Sequence, residues 1–153
     1  MMLINIETWK EFELSKFEFI NSTAYHKKNV IQLTDNEDSK INYITRSKYN
    51  NGLNSIVVKT KDMKVNPAGT ISFGAENADF FYQPSEYITG NKMYYIDTRE
   101  ISELACLFLK TVLVANFTNN FSFSDGMIPK HIKNKKILLP VNEENEPDWK
   151  FME

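Results

Sequence analysis

Residues 121–151, FSFSDGMIPKHIKNKKILLPVNEENEPDWKF, carry four different signals in succession. Phe121 and Phe123 alternate with Ser122 and Ser124, the period of a half-buried strand, and Asp125 with Gly126 supplies a turn. Residues 128–136 then hold Lys130, Lys133, Lys135 and Lys136 beside His131 with no acid among them, so this loop or short helix attracts polyanions. Ile137, Leu138 and Leu139 are consecutively apolar and stop at Pro140, which predicts a short buried strand. Glu143, Glu144, Glu146 and Asp148 follow and reverse the charge.

Upstream, the chain is rich in strand patterns. Residues 9–19 place Trp9, Phe12, Leu14, Phe17 and Phe19 among charges, predicting a strand and then an irregular piece near Ser15, with the apolar side chains in the core. Tyr43 and Ile44 end a second strand, and Asn51-Gly52 signals a turn because both residues tolerate positive φ. Residues 55–60 are β-branched, Asn66-Pro67 and Gly69 turn the chain into residues 70–74, and residues 80–83 and 94–96 read as further strands. The helix is predicted over residues 97–116, with Asp97 as cap and Glu100 three residues on. Its apolar face is Ile101, Leu104, Ala105, Phe108, Val112 and Ala115; Leu107, Leu109, Leu113 and Val114 make it apolar nearly all round, which predicts burial.

Several of these stretches resemble one family. The order of phenylalanine-rich strand, basic segment, KKILLPV, acidic spacer and PDWKFM resembles the end of a target recognition domain in the specificity subunits of type I and type IIB-like restriction-modification systems. The match continues upstream. Trp9, Phe12, Leu14 and Phe17 fit the family's W-x-x-F-x-L-x-x-F opening, and residues 43–52 its YITR-x-x-x-NNG pattern. NP-x-GTIS from Asn66, FFYQP from Phe80 and ITG from Ile88 follow the same rhythm. A glycine is common in the family where this chain has Asn21 or Ser22.

The resemblance implies an α+β, β-rich target-recognition-domain fold with one long buried helix and a short C-terminal basic helix or loop. It implies that residues 1–153 are a single DNA target recognition domain, ending where the family's long connecting helix begins. The function implied is reading one half-site in double-stranded DNA for a partner methyltransferase (modification) subunit, with a restriction subunit as a further partner. The alternative is a protein-binding or assembly module without direct readout. One continuous basic concavity favours DNA, and basic zones on opposite faces of the fold favour assembly.

Candidate DNA contacts fall in three places. Arg46, Ser47, Lys48, Asn50 and Asn51 cover the groove-reading repertoire: arginine to guanine, asparagine to adenine, serine to either, lysine to phosphate. Tyr25, His26 and Lys27 form a second group, and Ser122, Ser124, Lys130, His131, Lys133 and Lys135 a third. A solvated polar hairpin and a solvated basic face are the competing readings of these segments.

Composition is that of an ordinary globular chain. The 153 residues are 42% hydrophobic and 13% aromatic, enough for a real core and against disorder. The net charge of −2 announces no nucleic-acid ligand, but residues 25–64 hold eight basic against four acidic side chains. Cys106 is the one cysteine, which excludes an intramolecular disulfide and a cysteine zinc cluster and fits a reducing cytoplasm. No secretory signal is expected, because the apolar N-terminal run is short and Glu7 and Glu11 follow it. Nothing suggests a membrane span either, since residues 101–115 are interrupted by Glu103 and Lys110 and fall short of about 20 residues.

Catalysis finds no support. A DNA amino-methyltransferase needs a glycine-rich cofactor loop, and this chain has no G-x-G and only Asn66-Pro67-Ala68-Gly69 near the expected site motif. A metal nuclease needs carboxylate and lysine well after its first Pro-Asp, yet Pro147-Asp148 lies five residues from the last. His26 and His131 have no orienting carboxylate in sequence reach. No catalytic residue, cofactor or metal is therefore expected.

Overall fold

The computed structural model describes residues 6–31, 39–75, 79–118 and 128–153. The strand expected over residues 121–124, with Ser122 and Ser124, and the loop residues Glu76 and Asn77 lie outside that set.

Among the described residues, nine strands fall into three sheets. β1 (Lys10–Glu13) pairs antiparallel with β9 (Lys136–Leu139), Phe12 opposite Ile137, so the two ends of the chain close on each other. A four-stranded sheet follows the order β2 (Glu18–Asn21), β8 (Met93–Asp97), β5 (Thr70–Gly74), β6 (Phe81–Gln83). The third sheet sets β3 (Lys40–Ile44) between β4 (Leu53–Val58) and β7 (Tyr87–Thr89), antiparallel to the first and parallel to the second. The strands expected around residues 43–44, 55–60, 70–74, 80–83, 94–96 and 137–139 are all present. The irregular piece near Ser15 is a 3-10 turn, Leu14–Lys16, that separates β1 from β2.

Two faces of the four-stranded sheet carry different cores. Residues directly opposite in an antiparallel pair share a face, so Phe19, Ile71, Phe73, Tyr94 and Ile96 point one way. Against that side lies α1 (Glu103–Phe117), whose Ala105, Leu109, Leu113 and Phe117 recur every four residues and are buried with Leu14, Phe80, Ile132, Ile137, Leu139 and Met152. The opposite face carries Ile20 and Tyr95, which pack with Ile44, Tyr87 and Met93 toward the three-stranded sheet. That sheet adds a small core of its own from Val30, Ile41, Tyr43, Val57 and Ile88.

The helix departs from the sequence expectation in two ways. It begins at Glu103, capped by Ser102, whose Oγ accepts the Ala105 N–H at 3.2 Å. Asp97 cannot cap it, because β8 is a central strand and keeps Asp97 opposite Glu18. Its carboxylate is taken by Arg99, with Nε and Nη2 donating at 2.9 and 2.7 Å. The helix is also buried along one stripe rather than all round: Leu104 is 58% exposed and Leu107 41%. A helix laid on one sheet face covers only what points at that face: of the expected face, Ala105 is buried and Ile101, Phe108 and Val112 pack against the core, while Leu104 and Ala115 are exposed.

The basic segment is a short helix, α2 (Pro129–Ile132), with Pro129 in its first turn and Ile132 fully buried as its anchor. Backbone bonds from Leu14 N to Lys135 O and from Ser15 N to Lys133 O, both 2.8 Å, stitch it to the turn after β1. The acidic spacer is an Asn142-centred turn, whose Oδ1 accepts from Glu144 N and Glu146 N. It ends in α3 (Trp149–Met152), capped by Asp148. Among the described residues no helix is long and apolar enough to cross a membrane.

Candidate nucleic-acid interface

The loop between β3 and β4 is shaped by its backbone. The β3–β4 register shifts between Tyr43 and Ile44, a bulge that re-aims the chain as it leaves the sheet. Thr45 N then bonds to Gly52 O at 3.0 Å, closing the loop at its base. Asn50, Asn51 and Gly52 all have positive φ, 54°, 56° and 79°, a left-handed turn for which asparagine and glycine are the tolerant residues. A side chain on Gly52 would also press on Ile44 and Phe81.

Inside this turn, residue roles separate. Asn51 faces inward: its Nδ2 donates to the Tyr82 carbonyl at 2.9 Å, and its own carbonyl accepts from Gln83 Nε2 at 3.0 Å. Ser47 Oγ accepts the Tyr49 N–H at 3.2 Å and braces the loop locally. Lys48, Tyr49 and Asn50 face solvent, and among the described residues Asn50's amide has no partner. Lys48 lies near Asp79, whose carboxyl is pushed up by burial and pulled back down by that lysine. Arg46 is half-buried, its stem lying over Gly74 so closely that a Cβ there would sit 2.6 Å from Arg46 Cγ.

Tyr25, His26 and Lys27 lie beside Arg46. Together with Tyr43, Thr45, Gly90 and Asn91 they line a depression of about 350 Å³. Tyr25 is partly structural: its Oη accepts the Lys64 N–H and its carbonyl accepts from Tyr43 Oη, both at 2.6 Å. His26 Nδ1 accepts the Lys28 N–H at 3.2 Å and caps the 3-10 turn Lys27–Asn29, which leaves Nε2 to carry the ring proton. Lys27 is exposed. A Cβ at Gly90 would come into contact with Thr45 Cγ2 and the Tyr43 hydroxyl, both at 3.4 Å.

The other basic zone lines a second depression, of about 730 Å³. Lys130 and Lys133 edge it with Pro129 and Asn134, across from Phe19, Asn21 and Tyr94. Lys135 is exposed and His131 half-buried on the same segment, and neither lines this depression. Among the described residues none of Lys27, Lys48, Lys130 and Lys133 is held in an ion pair, unlike Lys16, Lys59, Arg99 and Lys136.

Two depressions therefore take the place of one concavity, and their relation is set by the four-stranded sheet. Asn21 and Tyr94 face the α1 side, whereas Gly74 under Arg46 faces the other. Yet Asn21 and Gly74 are the last residues of β2 and β5, and Met93 and Tyr94 the first of β8. Both basic zones thus gather at one end of the sheet, on its two faces. Asn21 and Tyr25 are four residues apart, at most about 14 Å. Asn91, Asn21, Tyr94 and Asn134 join the site only through this folding; nothing in their local sequence marks them.

The fold is a β-rich α+β domain with polar and basic loops collected at one end of its four-stranded sheet; among the described residues no group of side chains could hold a metal ion. Residues 6–153 match the family described as the type I restriction modification DNA specificity domain, and the chain belongs to that family. It is 31% identical over 112 residues, 72% of its length, to the type II restriction enzyme BgcI specificity subunit S.BcgI of Heyndrickxia coagulans, of which that match covers 32%. Two solved structures share the fold. The type I restriction-modification S subunit of M. genitalium superposes with a TM-score of 0.60 at 13% identity, over 87% of this chain and 34% of that one. The HsdS subunit of Thermoanaerobacter tengcongensis gives 0.58 at 13%, over 90% and 34%. The chain spans about a third of the length of each of these relatives.

Proposed function

We propose that residues 1–153 act as one target recognition domain that reads a half-site in duplex DNA for a methyltransferase subunit, with a restriction subunit in the same cytoplasmic complex, and that the domain performs no catalysis. The observation that carries this reading is the gathering of Arg46, His26 and Lys27 with Lys130 and Lys133 at one end of the four-stranded sheet, with Lys48 and Asn50 exposed on the loop that also holds Arg46. Arg46 carries the group suited to a guanine edge and Asn50 the amide suited to an adenine edge, while the lysines suit phosphates on either side. Asn21 of one lining and Tyr25 of the other have backbones at most about 14 Å apart, the length of about four base-pair steps. Asn51 and Tyr25, with their polar groups bonded inward, serve by holding this surface in place.

The assembly reading draws on the two basic zones lying on different faces of the sheet, and on Leu104 and Leu107, exposed one turn apart on α1. Four variants separate the two. Arg46→Ala and Asn50→Ala are expected to weaken a preferred duplex by about 1–3 kcal/mol while leaving random duplex unchanged. Lys130→Ala and Lys133→Ala are expected to weaken both alike. If Arg46→Ala lowers the melting temperature and keeps its sequence preference, the loop is scaffold and the reading is wrong.

A further inference from the structure

Tyr49 is 75% exposed, the largest exposure of any large apolar side chain among the described residues. A lone exposed aromatic is ordinary on a protein surface, so exposure by itself carries nothing. What distinguishes Tyr49 is how it is displayed. Its N–H is held by Ser47 Oγ at 3.2 Å and its carbonyl by Gly52 N at 2.9 Å. The next three residues are left-handed, and the second of them is clamped to Tyr82 and Gln83. The backbone is fixed on both sides while the ring itself packs on none of the described cores. Lys48 and Asn50, one on each side, are exposed polar groups of the groove-contacting type.

We infer that Tyr49 is a specificity-determining residue whose ring contacts the 5-methyl group of a thymine in the major groove, beside the base that Asn50 reads. This rests on the DNA-reading role proposed above. In the major groove the thymine methyl is the one apolar feature that distinguishes a base pair, and it is read by apolar contact rather than hydrogen bonding. A ring with two torsions on a fixed backbone loses little freedom when it is placed there. Lys48 and Asn50 fix the neighbouring phosphate and base, so the ring meets a defined position.

The test uses the full chain and a duplex selected by it from a randomised pool. Each thymine of that duplex is replaced singly by deoxyuridine, which differs only by the lost methyl. For the unaltered protein one replacement is expected to weaken binding about three- to fivefold, the factor one buried methyl supplies. Tyr49→Ala is expected to lose the same factor on the thymine duplex and nothing more on the deoxyuridine duplex, with random-duplex affinity and melting temperature unchanged. Tyr49→Phe is expected to retain the sensitivity. Deoxyuridine without effect at every position, or Tyr49→Ala still sensitive to it, overturns the assignment, as does an equal loss by Tyr49→Ala on random duplex. If the unaltered chain selects no sequence at all, the DNA-reading role fails with it, an outcome distinct from these three.

Discussion

Asn51 and Gln83 clamp each other across two sheets: Gln83 Nε2 donates to the Asn51 carbonyl at 3.0 Å, and Asn51 Nδ2 donates to the carbonyl of Tyr82 next door at 2.9 Å. Gln83 also donates to Ser72 Oγ at 3.0 Å and is 2% exposed, so one buried amide joins β5, β6 and the loop turn. Two stretches that read separately in the sequence, NNG and FFYQP, are halves of one joint.

Removing the joint should be costly. Gln83→Ala takes the donor from the half-buried Asn51 carbonyl and from the buried Ser72 Oγ, which keeps only its bond to the Phe81 carbonyl, a loss of about 1–3 kcal/mol, which for a domain of this size lowers the melting temperature by several degrees. Because the loop is loosened as well as the fold, preference between duplexes is expected to fall along with stability. Calorimetry beside a binding assay checks both.

Gly74 offers a way to disturb Arg46 without deleting it. A Cβ at Gly74 would lie 2.6 Å from Arg46 Cγ and 3.1 Å from Met93 Sδ, so Gly74→Ala must push the arginine stem aside. Sequence preference is expected to drop toward that of Arg46→Ala, with the dependence of binding on salt unchanged. Titrations of preferred and random duplex at several salt concentrations show whether the two properties separate.

The lysines make the complementary prediction. If Lys27, Lys48, Lys130, Lys133 and Lys135 each meet a phosphate, the logarithm of the binding constant falls with log salt at a slope of roughly −4 to −5. Each lysine-to-alanine change should make the slope shallower by about one, on any duplex. A complex insensitive to salt would remove the phosphate role from all five.

Tyr87 sets the alkaline limit of the fold. It is fully buried, and its hydroxyl shares a hydrogen bond with Thr70 Oγ1 at 2.8 Å, which in turn donates to Pro67 O. Burial holds its pKa well above that of an ordinary phenol, against the opposing pull of the Thr70 bond. The unfolded chain loses this proton near pH 10 while the folded chain keeps it, so the stabilisation is complete below pH 10 and lost as pH rises beyond it. Each such tyrosine contributes about 1.4 kcal/mol per pH unit, and Tyr87→Phe should flatten the fall by one tyrosine's share. Urea melts between pH 8 and 11 measure it.

Much of the scaffold was legible because it obeys local rules. A run of apolar residues ending at Pro140 announced β9, the turn at Asn66-Pro67 and Gly69 announced β5, residues 43–44 and 94–96 read as parts of β3 and β8, and Asn51-Gly52 announced a turn that does adopt positive φ. The helix start was misread because Asp97 and Glu100 have the spacing of a cap, yet β8 claims Asp97 through pairing that only the fold supplies. The apolar character of Leu104 and Leu107 likewise says nothing about which face a single sheet will cover. β7 went unread: Tyr87, Ile88 and Thr89 are too short a run to signal a strand, and their parallel partner β3 is distant in sequence. The candidate site was legible as residue types but not as roles. Asn50 and Asn51 look alike in sequence, and only Gln83 and Tyr82 turn one of them inward.

The loop that leaves β3 is tied at its root on both sides, by Thr45 to Gly52 and by Gly90 N to Ile44 O at 3.0 Å. Between those ties, residues 47–50 touch none of the three cores. The protein therefore carries a partly replaceable cassette: Lys48 and Tyr49 can be exchanged without asking the rest of the molecule to refold, whereas Ser47 braces the loop and Asn50 holds a left-handed backbone. On the reading proposed above, a change of preference is open to a lineage at these two positions in a single step, while Arg46, wedged over Gly74, is constrained by its neighbour.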